Sequence, residues 1–159
     1  MSLTIIAVGR MKEKPYRLMA DEYLKRLSRY DKVEEIELPD LPEPANSSPA
    51  IEQQIKEKEG EAILSRIKPS DYVIAMTIPG KQWDSPGLSR HLEDLKSRGK
   101  GNIVVLIGGS LGLSDKCIQR ADEEMSMSKM TFPHQLARVM LLEQLYRAMK
   151  ISAGERYHK

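Results

Sequence analysis

The side chains that could carry nucleophilic, acid-base or metal chemistry are few in this sequence, and they are scattered. The three histidines are His91, His134 and His158, and Cys117 is the only cysteine. No nucleophile stands beside a plausible base, and no glutamate-rich helix or cysteine and histidine cluster is present, so a hydrolase or metalloenzyme is poorly supported. We predict no metal site and no intramolecular disulfide. His91 lies among charged neighbours and is predicted at the surface.

A glycine-bearing loop between a strand and a helix offers another kind of chemistry, ligand binding by the main chain. The apolar run 103–107 predicts a buried strand, and Gly108 and Gly109 end it. Ser114 and Asp115 then provide the cap and the first-turn carboxylate of a helix. The loop lacks the P-loop signature and the spacing of a dinucleotide fingerprint. A ligand could contact its bare amides, although a double glycine also serves as a plain turn.

Two further loops, at residues 77–83 and 128–135, join the glycine loop at 108–113 as candidates for a binding site. In parallel α/β sheets, ligands bind where loops leave the carboxyl ends of strands. We therefore predict that the three loops converge on one pocket. His134 either contacts a substrate there or satisfies nearby carbonyl groups. Trp83, the only tryptophan, either stacks on a base or has a core or interface role.

Apolar patterns place these loops between alternating strands and helices. Short apolar runs predict strands, and apolar stripes at helical spacing predict helices. Strands are predicted at residues 3–8, 33–38, 71–78 and 103–107, and helices at 16–27, 49–68, from Asp84 or Ser85, from Ser114, and at 133–151. Prolines between residues 39 and 49 predict an exposed irregular loop, Pro79 and Gly80 are predicted to break the third strand, and residues 125–134 are predicted to be irregular. This order predicts an α/β sandwich with a mostly parallel sheet.

The helix predicted at 133–151 differs from the others because it is apolar around most of its circumference. Such a helix cannot keep one face in water, so we predict that it is central or lies in an oligomer interface.

Length and composition favour an ordinary globular protein. The 159 residues are predicted to form a single domain, residues 1–159, with 40% hydrophobic and 30% charged side chains. No apolar run has the length of a membrane span, and the amino terminus lacks a signal pattern. We therefore predict no membrane partner and a cytoplasmic location, with which a lone cysteine agrees.

Charge is unevenly distributed along the chain. The formal net charge is +2, yet residues 126–159 contain six basic and two acidic side chains. This excess suits an anionic partner such as RNA. A solvated face explains the same excess equally well.

Several motifs, in a fixed order, go beyond composition and periodicity. They are VG at 8–9, IPGK at 78–81, IGGSLGLS at 107–114, SKMTFPHQ at 128–135, EQLYRA at 143–148 and YHK at 157–159. Through them, essentially the whole chain resembles the RlmH family of SPOUT methyltransferases, which act on a pseudouridine of large-subunit ribosomal RNA. The resemblance implies a SPOUT-type α/β knot, in which helices sandwich a mostly parallel sheet and the carboxyl-terminal part forms a trefoil knot. It also implies a homodimer.

The resemblance further implies that the protein uses S-adenosyl-L-methionine to methylate N3 of a pseudouridine in 23S rRNA, on assembled ribosomes. At matching positions it implies cofactor contacts from Met76, Thr77, Ile78, Gly80, Ile107, Gly108, Gly109, Met127, Ser128, Lys129, Met130, Thr131 and Phe132.

Catalytic and RNA-binding roles are implied in the same way. An imide N3 is protonated at neutral pH and must lose its proton before or during attack. His134 and His158 are candidates for assisting that step, and Arg138 or Lys159 for stabilising the developing negative charge. RNA contacts are expected from Lys81, Trp83, Arg156, Tyr157, His158 and Lys159.

Two other functions stay open. One is a non-catalytic RNA- or ribosome-binding dimer, and the other is a nucleotide-binding protein of flavodoxin type that holds a phosphate-bearing ligand at Gly108. Titration with S-adenosylmethionine and S-adenosylhomocysteine separates these hypotheses.

Overall fold

The computed structural model describes residues 2–159, in which five strands alternate with five helices. In chain order they are β1 (Ser2–Val8), α1 (Lys14–Leu27), β2 (Lys32–Leu38), α2 (Pro49–Leu64), β3 (Tyr72–Gln82), α3 (Ser85–Ser97), β4 (Asn102–Ile107), α4 (Asp115–Arg120), β5 (Glu123–Ser126) and α5 (His134–Ser152). The predicted alternation is confirmed. None of the helices in residues 2–159 has the length and apolar character needed to cross a membrane.

The strands form one sheet in the order β2-β1-β4-β3-β5, and every pairing between neighbours is parallel. Leu3 of β1, for example, is opposite Val33 of β2 on one side and Ile103 of β4 on the other. Because all strands run in the same direction, the carboxyl ends of β3, β4 and β5 lie at one edge of the sheet. The loops that follow these three strands are therefore neighbours in space.

Helices cover both faces of the sheet and create two apolar layers. In β4, Ile103 and Val105 join the layer that includes α1, α3 and α5, whereas Val104 and Leu106 join the layer that includes α2 and α4. Successive side chains of a strand lie on opposite faces, so a continuous apolar run is buried on both. The predicted α/β sandwich is confirmed.

The apolar helix α5 lies at the centre of its layer, where it packs against both α1 and α3. Leu141, Leu142 and Leu145 are each only 1% exposed. Of the two positions predicted for this helix, central or in an oligomer interface, the structure of the single chain shows the central one.

The third strand is longer than predicted, and the predicted break at Pro79 and Gly80 was wrong. β3 continues through both residues to Gln82. Its pairing with β5 changes register between Met76 and Lys81. Pro79, which has no N–H to donate, therefore lies where the ladder of hydrogen bonds is interrupted.

The fifth strand was missed. β5 includes Met125 and Ser126, which were predicted to be irregular. It has only four residues, two of which are glutamates, so the sequence shows no apolar run there.

Gly80 is a point of close approach between β3 and β5. A Cβ atom at this position would lie 2.7 Å from the main-chain nitrogen and carbonyl carbon of Met125. We expect Gly80→Ala to lower the free energy of unfolding by about 1–3 kcal/mol, the usual cost of overpacking, as measured by urea denaturation. Gly101→Ala is the matched control, because nothing lies within 4 Å of that position. Equal stability of the two variants would contradict the close approach.

Candidate functional site

The end of β3 and two loops at the carboxyl edge of the sheet line a cavity of about 460 Å³, here called the loop cavity. Its walls come from the end of β3, from the glycine loop after β4 and from the segment between β5 and α5. The structure thus brings together the three segments that the sequence predicted to converge, but the first of them, predicted as a loop at residues 77–83, is mostly part of β3. The volume lies in the range of small-molecule sites, about 300–1,000 Å³.

Most of the residues implied as cofactor contacts line the loop cavity. They are Met76, Thr77, Ile78, Ile107, Gly108, Gly109, Met127, Ser128, Met130, Thr131 and Phe132. His134 lines it as well. Gly80 and Lys129 do not line it; Gly80 packs against β5, and the Lys129 side chain is exposed.

The glycine loop closes tightly on itself, which explains its composition. A Cβ atom at Gly108 would lie 2.6 Å from the carbonyl carbon of Gly112 and 2.8 Å from the nitrogen of Leu113. The Gly112 amide donates to the Gly109 carbonyl at 3.0 Å, and Gly112 has a φ of +84°, which favours glycine. The three glycines of the loop therefore present main chain to the cavity.

Two serines shape the segment between β5 and α5. The Ser126 hydroxyl donates to the Ser128 carbonyl at 3.0 Å, and the Ser128 hydroxyl accepts from the Met130 amide at 3.0 Å. Met130 is held at the rim of the cavity with 72% of its surface exposed. In residues 2–159, no group of three or more His, Cys, Asp or Glu side chains could hold a metal ion.

A buried carboxylate supports the glycine loop from the α2 face. Glu59 is 7% exposed, and its Oε2 accepts a hydrogen bond from the Leu41 amide at 3.1 Å. A Cβ atom at Gly109 would lie 3.3 Å from Glu59 Oε1. Burial raises the pKa of Glu59 above its ordinary value, because the ionised carboxylate loses hydration.

This raised pKa predicts a pH-dependent difference between the wild type and Glu59→Gln. The folded state binds the proton more tightly than the unfolded state, so the wild type loses stability as pH rises from about 4.5 through the raised pKa. The amide introduced by the substitution can still accept from Leu41 but does not ionise. We therefore expect the melting temperature of Glu59→Gln, measured relative to that of the wild type, to increase as the pH is raised from about 4 to 7. Glu61→Gln, at an exposed position of α2, is the control and should show no such increase. If the melting temperatures of Glu59→Gln and of the wild type depended on pH in the same way, the raised pKa of Glu59 would be contradicted.

Comparison with known proteins decides the family. Residues 1–158 match the family described as "Predicted SPOUT methyltransferase". The chain belongs to the SPOUT methyltransferase family.

The relatives of this SPOUT protein cover its full length. It is 55% identical to "Ribosomal RNA large subunit methyltransferase H 1" of Clostridium perfringens (strain SM101 / Type A), with all of both chains aligned. The proteins named "Ribosomal RNA large subunit methyltransferase H" in Clostridium novyi (strain NT) and Alkaliphilus oremlandii (strain OhILAs) are 54% and 52% identical, again over all of both chains. The chain is thus a member of this group within the SPOUT family.

A solved structure supports the fold. It is titled "The structure of a probable methylase family protein from Haemophilus influenzae Rd KW20" and matches with a TM-score of 0.52 at 11% identity, covering 99% of this chain and 70% of that chain. At this identity the similarity concerns the fold alone.

A second cavity of this protein, here called the helix cavity, lies among α1, α3 and α5. It has a volume of about 840 Å³, and Trp83 and His158 are among its lining residues. Ser126 and Met127 line both cavities, so this short segment separates them. His134 and His158, the two implied proton acceptors, therefore line different cavities of one chain.

The carboxyl-terminal tail is anchored on α5 by an aromatic residue. The Tyr157 ring meets Tyr146 edge to face at 4.9 Å between centroids, and Arg147 lies over it at 4.7 Å. Burial raises the pKa of Tyr157 to about 12, so its hydroxyl stays protonated and donates to Glu143 Oε1 at 3.2 Å. Arg147 Nη1 also lies 3.2 Å from His158 Nδ1. These contacts position the tail at the helix cavity.

Arg138, implied to stabilise developing charge, is buried with a side-chain exposure of 3%. Its Nη2 lies 3.1 Å from Glu35 Oε2 and 2.8 Å from Glu37 Oε2. Its Nη1 donates to the Gly9 carbonyl at 3.0 Å. The guanidinium does not line the loop cavity, so this placement favours a structural role over the implied catalytic one.

The residues implied to contact RNA are mostly accessible. Lys81, Arg156 and Lys159 are exposed. His91, in contrast, was wrongly predicted to be a surface residue, because its side chain is 14% exposed and its Nε2 lies 2.7 Å from Glu123 Oε1. Its charged neighbours in sequence lie on other faces of α3, and its partner comes from β5, which the sequence did not predict.

Proposed function

We propose that this protein is an S-adenosylmethionine-dependent methyltransferase that modifies N3 of a pseudouridine in 23S ribosomal RNA. The observation that carries the proposal is the loop cavity, in which three segments bearing the motifs of the family line one ligand-sized space. Full-length relatives named "Ribosomal RNA large subunit methyltransferase H" support the large subunit as the source of the substrate.

The loop cavity fits a cofactor that has an apolar ring system and polar ends. Met76, Ile107 and Phe132 provide apolar surface, and the glycine loop offers main-chain groups at Gly108 and Gly109. We assign cofactor binding to these residues and to the other implied contacts that line the cavity. S-adenosylmethionine supplies, when bound, a methyl group on a positively charged sulfur. The contribution of the protein to transfer is then placement of the nucleophile in line with that group.

Deprotonation of N3 needs a base within reach of the loop cavity. His134 lines this cavity, whereas His158 lines the helix cavity of the same chain. We propose that the tail of a second subunit brings His158 to the loop cavity, so that the active form is a homodimer with composite sites. The surface next to α5 is the proposed contact between subunits. The trefoil knot that the resemblance implies is part of this proposal.

The RNA side of the site is proposed to include the basic residues of the tail. Arg156 and Lys159 are exposed and can pair with phosphates at little desolvation cost. Assembled ribosomes are the proposed substrate. Because ribosomes are in the cytoplasm, the cytoplasm is the proposed location of the protein.

The proposal is tested by methylation with labelled S-adenosylmethionine. Free large-subunit RNA, isolated large subunits and whole ribosomes that lack the mark are offered in parallel, and the labelled nucleotide is mapped. We expect incorporation into a single pseudouridine of 23S rRNA, with whole ribosomes as the best substrate.

Calorimetric titration with S-adenosylmethionine and S-adenosylhomocysteine completes the test. RNA association without cofactor binding would replace the proposal by a non-catalytic RNA-binding dimer. Binding of a phosphate-bearing nucleotide at Gly108 in place of the cofactor would indicate the flavodoxin-type alternative.

A further inference from the structure

Five side chains form a continuous series of contacts beside the helix cavity. The Lys81 ammonium lies 3.8 Å from the centroid of the Trp83 ring. The same ring stacks on His91, with 4.5 Å between centroids and 16° between planes. His91 Nε2 is 2.7 Å from Glu123 Oε1, and the Tyr72 hydroxyl donates to Glu123 Oε2 at 3.0 Å. These contacts fix the orientation of the only tryptophan in the chain.

The spacing of the two contacts indicates that Lys81 and His91 lie over opposite faces of the indole. A nearly parallel imidazole at 4.5 Å fills one face, and an ammonium 3.8 Å from the centroid on that same face would overlap it. Lys81 is exposed, whereas the His91 side chain is 14% exposed. One face of Trp83 is therefore backed by His91, and the other carries the long side chain of Lys81, which water can reach.

Two sets of contacts restrain Trp83, one to the His91 ring behind it and one to its main chain. Burial raises the pKa of Tyr72 to about 12, so the phenol remains a donor to Glu123 and restrains the carboxylate that contacts His91. Trp83 also directly precedes the cap of α3, where Asp84 Oδ1 accepts from the Gly87 amide at 2.6 Å. Both the ring and its main chain are thus fixed before any ligand arrives.

We propose that Trp83 is a stacking platform for a base of the substrate RNA and that His91 is the residue that positions it, an inference that rests on the proposed function. An incoming base displaces the Lys81 ammonium from the open face and stacks on the indole. The ammonium then contacts the phosphate backbone. Because every base has a π-face, the platform adds affinity and little sequence selectivity.

The charge of Lys81 favours RNA over a second protein subunit as the occupant of the open face. A displaced ammonium needs a new counter-charge, and the phosphate next to a stacked base supplies it. An apolar protein surface on the same face would leave the ammonium desolvated and unpaired.

Because Trp83 is the only tryptophan, fluorescence excited selectively at tryptophan reports on this ring alone. A single-stranded oligouridylate is titrated into the wild type and into His91→Ala, His91→Phe and Glu93→Ala. Glu93 is an exposed residue of the same helix and serves as the control. Methylation of ribosomes is measured for the same four proteins, and cofactor binding is measured by calorimetry.

We expect the oligonucleotide to quench the emission of the wild type and of Glu93→Ala. His91→Ala should raise KM for ribosomes about tenfold, within the range of one base–aromatic stack, with kcat and cofactor affinity unchanged. His91→Phe, which restores a ring behind the indole, should recover most of that loss.

Normal methylation with no quenching, or an unchanged KM in His91→Ala, would overturn the platform and leave the proposed function standing. If the emission changed on dilution of the protein and did not change with RNA, Trp83 would belong to a subunit contact, and the stacking platform would likewise be overturned. Absence of methylation in the wild type would instead count against the proposed function.

Discussion

Deletion of residues 155–159 is expected to reduce methyl transfer by about two to four orders of magnitude, the usual contribution of a positioned acid-base group. The deletion removes His158 together with the basic side chains Arg156 and Lys159. The affinity for S-adenosylmethionine should be unchanged, because other parts of the chain build the loop cavity. The measurements are methylation of ribosomes that lack the mark and calorimetric titration of the cofactor.

Point variants separate the chemistry of the tail from its packing. His158→Ala should reproduce most of the loss. Tyr157→Phe is the matched control, because it keeps the ring contact with Tyr146 and removes only the hydroxyl that donates to Glu143. A truncated protein with full methylation activity and normal cofactor affinity would exclude the tail from the reaction.

Mixing two inactive variants tests whether the tail acts on a second subunit. One partner lacks residues 155–159, and the other carries Gly108→Val, whose Cβ atom would lie 2.6 Å from the Gly112 carbonyl carbon. If the tail acts across the dimer, mixed dimers hold one intact site and regain activity. If it acts within its own chain, no mixture has an intact site and activity stays absent.

Arg138→Ala is expected to lower the free energy of unfolding by about 3–5 kcal/mol, the cost of removing one partner from a buried ion pair. The substitution leaves the Glu35 carboxylate, whose side chain is 8% exposed, without one of its two arginines. It also removes the donor to the Gly9 carbonyl. Urea denaturation at neutral pH measures the effect.

The control for this substitution is Arg156→Ala, at an exposed position near the end of the chain. It should leave the free energy of unfolding within about 0.5 kcal/mol of the wild type, as is usual for surface positions. If Arg138→Ala were as stable as the wild type and inactive in methylation, the structural role would be wrong and the catalytic interpretation would return.

The sequence predicted the parts of the fold whose signal is local. Buried parallel strands such as β1 and β4 are continuous apolar runs, and α1 shows an apolar stripe, so neighbouring residues alone reveal them. β5 could not be found in this way, because its four residues include Glu123 and Glu124. Its position depends on pairing with β3, which is a contact between distant parts of the chain.

The site shows the same division between local and distant information. The convergence of the end of β3 with the loops after β4 and β5 follows from a general property of parallel sheets, and the motifs supplied the residues. The ion pairs of Arg138 with Glu35 and Glu37 could be identified only from the tertiary structure. The sequence did hold one usable signal, because residues two apart in β2 lie on the same face of the sheet. His91 was misjudged because its sequence neighbours do not reveal that Trp83 and Glu123 surround it in the fold.

The segment of Ser126 and Met127 is a common wall of the loop cavity and the helix cavity. A ligand that shifts this wall from one side changes the shape of the space on the other side. Thermodynamic linkage then makes the effect reciprocal. If an occupant of the helix cavity raises the affinity for the cofactor by some factor, the cofactor raises the affinity for that occupant by the same factor.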